Sequence, residues 1–208
     1  MNSNQLRVIL FDLGGVLVEL TGVPRLLSWL GNRMTPEELW EMWLSSPVVR
    51  SFETGQSAPE EFADHLIREM GLPVNRDEFI REFTLWPKRS FDGAHNLLHR
   101  LSPTFVRATL SNTNVLHWPR YMGEMGFSHA FDHHFASHLI GRIKPDEDAF
   151  HYVVDKLKHS PSAILFLDDN ELNVIGARRV GMRAVCVKGV REAEQALLRH
   201  GVIDAAET

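Results

Sequence analysis

A chain of 208 residues, 44% hydrophobic and 24% charged, has the composition of an ordinary soluble globular protein with one sizeable core, or one core carrying an insertion. Its net charge of -5, with no basic stripe, speaks against nucleic acid or an acidic membrane surface as partner. The single cysteine, Cys186, excludes an internal disulfide and fits a reducing, cytoplasmic setting, and the start, Met1 to Gln5, has no apolar stretch behind it long enough for a signal or membrane segment.

In chain order, the first apolar run is Val8-Ile9-Leu10-Phe11, stopped by Asp12 and by Gly14-Gly15. Solid apolar runs without alternation mark strands covered on both faces, as in parallel sheets. From about residue 20 to 90 the rhythm is helical. Thr35-Pro36-Glu37-Glu38 is a capping box with proline at the first helical position, Ser57 with Glu60 opens a second helix, and Asn75 to Phe83 a third. No strand is expected in this stretch. It holds Trp29, Trp40, Trp43 and Trp86, read mainly as its small core, with Trp86 the one expected to face a ligand.

Strands then resume. Phe105 to Leu110 ends in Ser111-Asn112-Thr113-Asn114; His133 to Ala136 is followed by a loop, Gly141 to Pro145; Ala163 to Leu167 is closed by Asp168-Asp169-Asn170; Ala184 to Val187, with Cys186 read as a buried thiol, is the last. Helical periods fall between them at Asp146–Leu157, Glu171–Val180 and Arg191–Leu198. The pattern predicts an α/β fold: a doubly wound, mostly parallel, Rossmann-like sheet with a helical cap inserted after the first strand. Residues 1–19 and 91–208 form the expected core domain and 20–90 the cap.

Open α/β sheets bind ligands at the carboxyl edge of their strands, where Asp12, Ser111-Asn112, Lys144 and Asp168-Asp169 are expected to gather. Alone, Asp12 reads as turn cap, metal ligand or nucleophile. Two adjacent acids beside a third repel one another unless a cation sits among them, and hard oxygen ligands favour Mg²⁺, which accepts substrate phosphate oxygen. Ser111 and Asn112 offer a hydroxyl, an amide and backbone N–H groups at a strand-to-helix turn, an anion nest. Lys144, in Arg142-Ile143-Lys144-Pro145, is placed to hold Asp12 ionised and offset phosphoryl charge. Asn173, one turn past Asp169, is expected to orient a metal-bound water or the lysine. The histidines His129, His133, His134 and His138 are rejected as a zinc cluster, because their surroundings read as strand and loop.

These motifs, in this order, resemble the haloacid dehalogenase (HAD) superfamily over nearly the whole chain. The matching segments are Phe11-Asp12-Leu13-Gly14-Gly15-Val16-Leu17-Val18, Leu110-Ser111-Asn112, Lys144-Pro145, and Phe166-Leu167-Asp168-Asp169-Asn170 with Asn173 and Gly176-Ala177. In texture they are similar to the α-D-glucose-1-phosphatase-like sugar-phosphate phosphatases and the phosphatase half of soluble epoxide hydrolase. The resemblance implies a Mg²⁺-dependent phosphatase acting on a small phosphate monoester, sugar-like, as a monomer or weak homodimer. Asp12 would be the nucleophile forming an aspartyl-phosphate; Asp12, Asp169 and the backbone carbonyl of Gly14 would hold the metal, with Asp168 sharing or backing that role. Ser111 and Lys144 would bind the transferring phosphoryl group, supported by Asn112 and Gly15.

One position departs from the family pattern. Where the phosphatases usually carry a second aspartate as general acid and base, this chain has Gly14; losing such a group costs on the order of 10²–10⁴ in rate. A substrate with a good leaving group, such as an anomeric phosphate, would need less protonation; otherwise water or a cap residue such as Glu53 would serve instead. The alternatives are 2-haloacid dehalogenase chemistry, which needs no metal, and a non-catalytic or regulatory HAD-like protein.

Overall fold

The computed structural model describes residues 5–204, so the chain start from which the absence of a leader was read lies mostly outside the described residues. Strand β1 (Val8–Phe11), fully buried, runs through the centre of a five-stranded sheet. The chain then turns into β2 (Val18–Leu20) and passes through five helices: α1 (Gly22–Trp29), α2 (Pro36–Ser45), α3 (Pro47–Glu53), α4 (Pro59–Met70) and α5 (Arg76–Thr84). It returns as β3 (Pro87–Ser90), which pairs antiparallel with β2, so the segments leading into and out of the insertion form one ribbon. The remainder alternates: α6 (Ala94–His99), β4 (Val106–Ser111), β5 (His133–Ala136), α7 (Ser137–Ile140), α8 (Glu147–Leu157), β6 (Ile164–Asp168), α9 (Glu171–Arg179), β7 (Arg183–Cys186) and α10 (Gly189–Arg199).

The sheet order is β5-β4-β1-β6-β7, with every pair parallel. Phe11 is level with Thr109 and with Leu167, so the residues after β1, β4 and β6 emerge along one edge. The strand order reverses at β1, the switch point at which open α/β sheets take their ligands. Strand alternation sends Ile9, Phe11, Leu165 and Leu167 to one face, against Leu97, Leu98 and Leu197. Val8, Leu10, Ala108, Leu110 and Phe166 point to the other, against Phe150, Val153 and Val174. A third apolar cluster lies wholly within the insertion, built on Phe52, Phe62, Phe79 and Phe83, with Phe52 and Phe62 stacked at 4.2 Å.

The insertion departs from expectation in four places. β3 falls where no strand was expected, because Pro87-Lys88-Arg89-Ser90 has no apolar pattern and is held by its pairing with β2. Helices α1 and α3 are only eight and seven residues long, and α3 follows α2 with Ser46 alone between them, so their periodicity is short. Helix α4 begins on Pro59 with Ala58 as its N-cap, and the Ser57 hydroxyl is buried without a partner. Trp86 is packed against Phe83 at 4.5 Å and Trp43 at 5.6 Å, a base for the insertion's core. Two helix starts fall where the chain signals them: Thr35 and Glu38 cap α2 reciprocally, and the Asn75 side chain accepts from the Glu78 N–H of α5. In the sheet, Cys186 is half-buried rather than buried. Among the described residues no helix is long and apolar enough to cross a membrane.

Candidate active site

Asp12 stands one residue past β1, its N–H still donating to the Leu167 carbonyl at 2.8 Å, so its backbone is fixed by the sheet. Its carboxylate accepts from the Leu13 N–H at 2.7 Å and faces the Lys144 ammonium at 3.2 Å. Lys144 comes from the loop between α7 and α8. The Asn112 amide holds that loop from both sides, donating to the Lys144 carbonyl at 2.9 Å and accepting from the Lys144 N–H at 2.9 Å. Asn112, expected to assist an anion, thus spends both ends of its side chain on the lysine's backbone. The nest around it is partly spent too, since the Thr113 N–H donates to Ser137 Oγ at 2.9 Å. Ser111 closes β4, buried at the same sheet edge.

The fully buried Lys144 ammonium also donates to Asp168 at 2.6 Å. Asp168 in addition accepts from the Asn173 amide at 3.0 and 3.2 Å and from the Asn170 N–H at 2.8 Å, so both its oxygens are engaged by the protein. Asn173 therefore orients Asp168, and through it the lysine. Helix α9 can lie this close to the lysine loop because it presents Gly176, where a Cβ would overlap the Pro145 carbonyl. Gly15 has a comparable role. Its φ of +72° is left-handed, and a Cβ there would collide with the Asp169 carboxylate, so glycine leaves Asp169 its place beside the turn.

Oxygens of Asp12, Asp168 and Asp169 lie within 4.8 Å of one another. Burial, with repulsion from Asp168 and Asp169, pushes Asp12 up to about 7 although Lys144 opposes it. Burial and Asp168 push Asp169 up to about 6. Burial would drive the Lys144 ammonium down, but Asp12 and Asp168 outweigh it and hold the proton on. Three carboxylates against one ammonium leave negative charge uncompensated in a desolvated place. An all-oxygen donor set of that charge fits a hard divalent cation such as Mg²⁺. Because Asp168 is already saturated by donors, Asp12 and Asp169 are the acids with lone pairs to spare.

Three neighbours carry no signal in the sequence. Tyr121, in the irregular turn after β4, is buried, and burial with the charges of Asp12 and Glu53 pushes its phenol up, so it stays a hydroxyl donor. His117 joins the insertion to the sheet, with Nε2 2.7 Å from the Phe83 carbonyl and Nδ1 3.1 Å from the Asn114 amide nitrogen. A carbonyl only accepts and an amide nitrogen only donates, so the ring is neutral with its proton on Nε2. Burial accordingly lowers His117 to about 4. Trp43 lies close enough to Glu53 to favour its ionised carboxyl. A lone histidine, tyrosine or tryptophan at no strand end reads as core, and only the fold brings these to the edge.

The family model of the haloacid dehalogenase-like hydrolases matches residues 6–181. Among curated proteins, the chain is 28% identical to a sesquiterpene phosphatase of Aspergillus oryzae over 85% of this chain and 87% of that one. It is 27% identical to the validoxylamine A 7'-phosphate phosphatase of Streptomyces hygroscopicus subsp. limoneus, over 90% of this chain and 88% of that one. Among solved structures, a HAD-like family hydrolase from Porphyromonas gingivalis superposes with a TM-score of 0.74 at 27% identity, covering 94% of this chain and 97% of the other.

Proposed function

The chain belongs to the haloacid dehalogenase-like hydrolases, and from that footing we propose that it is a phosphatase cleaving a small, sugar-like phosphate monoester through an aspartyl-phosphate on Asp12. The observation that carries this reading is the buried Lys144 bridging Asp12 at 3.2 Å and Asp168 at 2.6 Å beside the unsaturated Asp169. Lys144 lowers the cost of an ionised Asp12 in a dry site, which a nucleophile requires. One Asp12 oxygen faces the lysine while the other is left to attack phosphorus. Ser111 and Lys144 receive the phosphoryl oxygens, and Asn112 keeps the lysine's loop in place. Held by Asp12, Asp169 and the Gly14 carbonyl, with Asp168 behind, Mg²⁺ would offset the charge of the bound phosphate. Residues 20–90 act as the cap over this edge and select the alcohol; the relative named for validoxylamine A 7'-phosphate supports a small phosphate monoester as substrate.

Halide displacement needs no cation and would leave the three acids uncompensated. The test is phosphate release from p-nitrophenyl phosphate with Mg²⁺, followed by a panel of phosphate esters. Activity lost with EDTA and in Asp12→Asn, and highest on sugar phosphates, is the expected result. A metal-independent release of halide from 2-haloacids, or silence across the panel, would overturn it.

A further inference from the structure

Gly14 leaves the reaction without a proton donor for the departing alcohol. In-line attack by Asp12 requires the leaving oxygen to lie on the far side of phosphorus, away from the sheet and toward the insertion. With position 14 a glycine, the insertion is the other element that can present an acid to that oxygen.

Helix α3 is anchored to the core beside the lysine loop. Arg50 makes an ion pair with Asp146, two residues beyond Lys144. One turn on, Gly55 meets the core so closely that a Cβ there would overlap the His138 carbonyl of α7. Between these two anchors Glu53 ends the helix, where the last carbonyls disfavour a negative charge. Trp43 and the Lys144 charge are close enough to favour the ionised form of its carboxyl, and the charges of Glu53 and Asp12 both act on Tyr121, which places the three near one another.

We propose that Glu53 is the general acid and base of the phosphatase reaction, a catalytic residue supplied by the insertion in place of the acid absent at Gly14. As an Asp12 oxygen bonds to phosphorus, the bond to the ester oxygen breaks, and the Glu53 proton passes to that oxygen to give the alcohol. A water then attacks the aspartyl-phosphate and gives one proton to the Glu53 carboxylate. The phosphorus–Asp12 bond breaks with its electrons returning to Asp12, and phosphate leaves. Burial pushes Glu53 up to about 7, while Trp43 and Lys144 oppose the rise, so both protonation states are accessible near neutrality.

This role rests on the phosphatase reading, and the experiment separates the two. Wild-type kcat/KM is expected to change little between p-nitrophenyl, phenyl and methyl phosphates, because the leaving oxygen is protonated. Glu53→Gln should lose about 10²–10⁴-fold on methyl phosphate. On p-nitrophenyl phosphate, whose leaving group needs no proton, it should release one equivalent of nitrophenolate in a burst and then stall as the phospho-enzyme. Equal losses on both esters without a burst, or unchanged turnover of methyl phosphate, would overturn the role while leaving the phosphatase standing. Should the variant melt, the wild-type series decides alone, since a steep dependence on the leaving group overturns the role. A wild type silent on every ester would sink the phosphatase reading and this role with it.

Discussion

Lys144→Met keeps the length of a buried side chain and removes the one cation between two buried acids. The Lys144 and Asp168 side chains are 0% exposed and that of Asp12 is 11% exposed, so water offers little replacement solvation. Stripping one partner from a buried pair costs about 3–5 kcal/mol, and here two carboxylates lose the same partner. In a chain of this size 1 kcal/mol moves Tm by roughly 2–4 °C, so the metal-free variant should melt on the order of 10 °C lower at pH 8. The sign of the pH dependence follows from Asp12, whose folded-state value of about 7 already exceeds the ordinary 3.8 and rises further without the lysine. A carboxyl raised on folding stabilises the native state as it takes its proton, so the deficit should shrink between pH 8 and pH 6. Urea unfolding in EDTA at both pH values, followed by tryptophan fluorescence, measures it. A loss under about 1 kcal/mol at pH 8 would refute the idea that this lysine compensates buried charge rather than filling space. So would a deficit that grows on acidification.

Two further outcomes are expected. Gly15→Ala must hold an L-residue at φ +72° and push Asp169 aside; the strain costs about 1–2 kcal/mol, and the Mg²⁺ needed for half-maximal phosphatase activity should rise about 10–100-fold, an unchanged requirement counting against Asp169 as ligand. His117→Phe keeps the ring on Phe83, stacked at 4.4 Å in the wild type, but strands the Phe83 carbonyl and the Asn114 amide, at about 1–3 kcal/mol each by urea titration. Because His117 falls from 6.5 to about 4 on folding, it is a source of stability above its unfolded value that is lost as pH drops toward 4. That slope, at most about 1.4 kcal/mol per pH unit, should vanish in the variant.

The sheet was readable because burial on both faces writes itself as unbroken apolar runs, and because a charged residue directly after such a run can only lie at the edge. Asp12, Ser111 and the Asp168-Asp169 pair announce themselves in this way, within one residue of the observed strand ends. Lys144 is different: it follows no strand directly, and alone in its loop it reads as an ordinary solvated lysine until Asp12 is set beside it. The division of labour between neighbouring residues was not readable. Nothing in Ser111-Asn112 tells that the amide is consumed on a loop 32 residues away. The insertion was hardest, because its short helices are defined by packing against one another, and its β3 strand has a partner but no pattern of its own.

Gly14 and Glu53 then become two sides of one electrostatic constraint. Asp12 and Asp169 are already raised to about 7 and about 6 by burial and by neighbouring acids. A fourth carboxylate at position 14 would add its charge to the same desolvated cluster, two residues from the nucleophile whose ionisation the reaction needs. Placed on α3, the proton-carrying acid lies outside that cluster, with Lys144 close enough to favour its ionised form. Its position then depends on the Arg50–Asp146 pair and on His117 holding the Phe83 carbonyl. On this proposal, proton delivery would depend on the insertion being seated on the sheet.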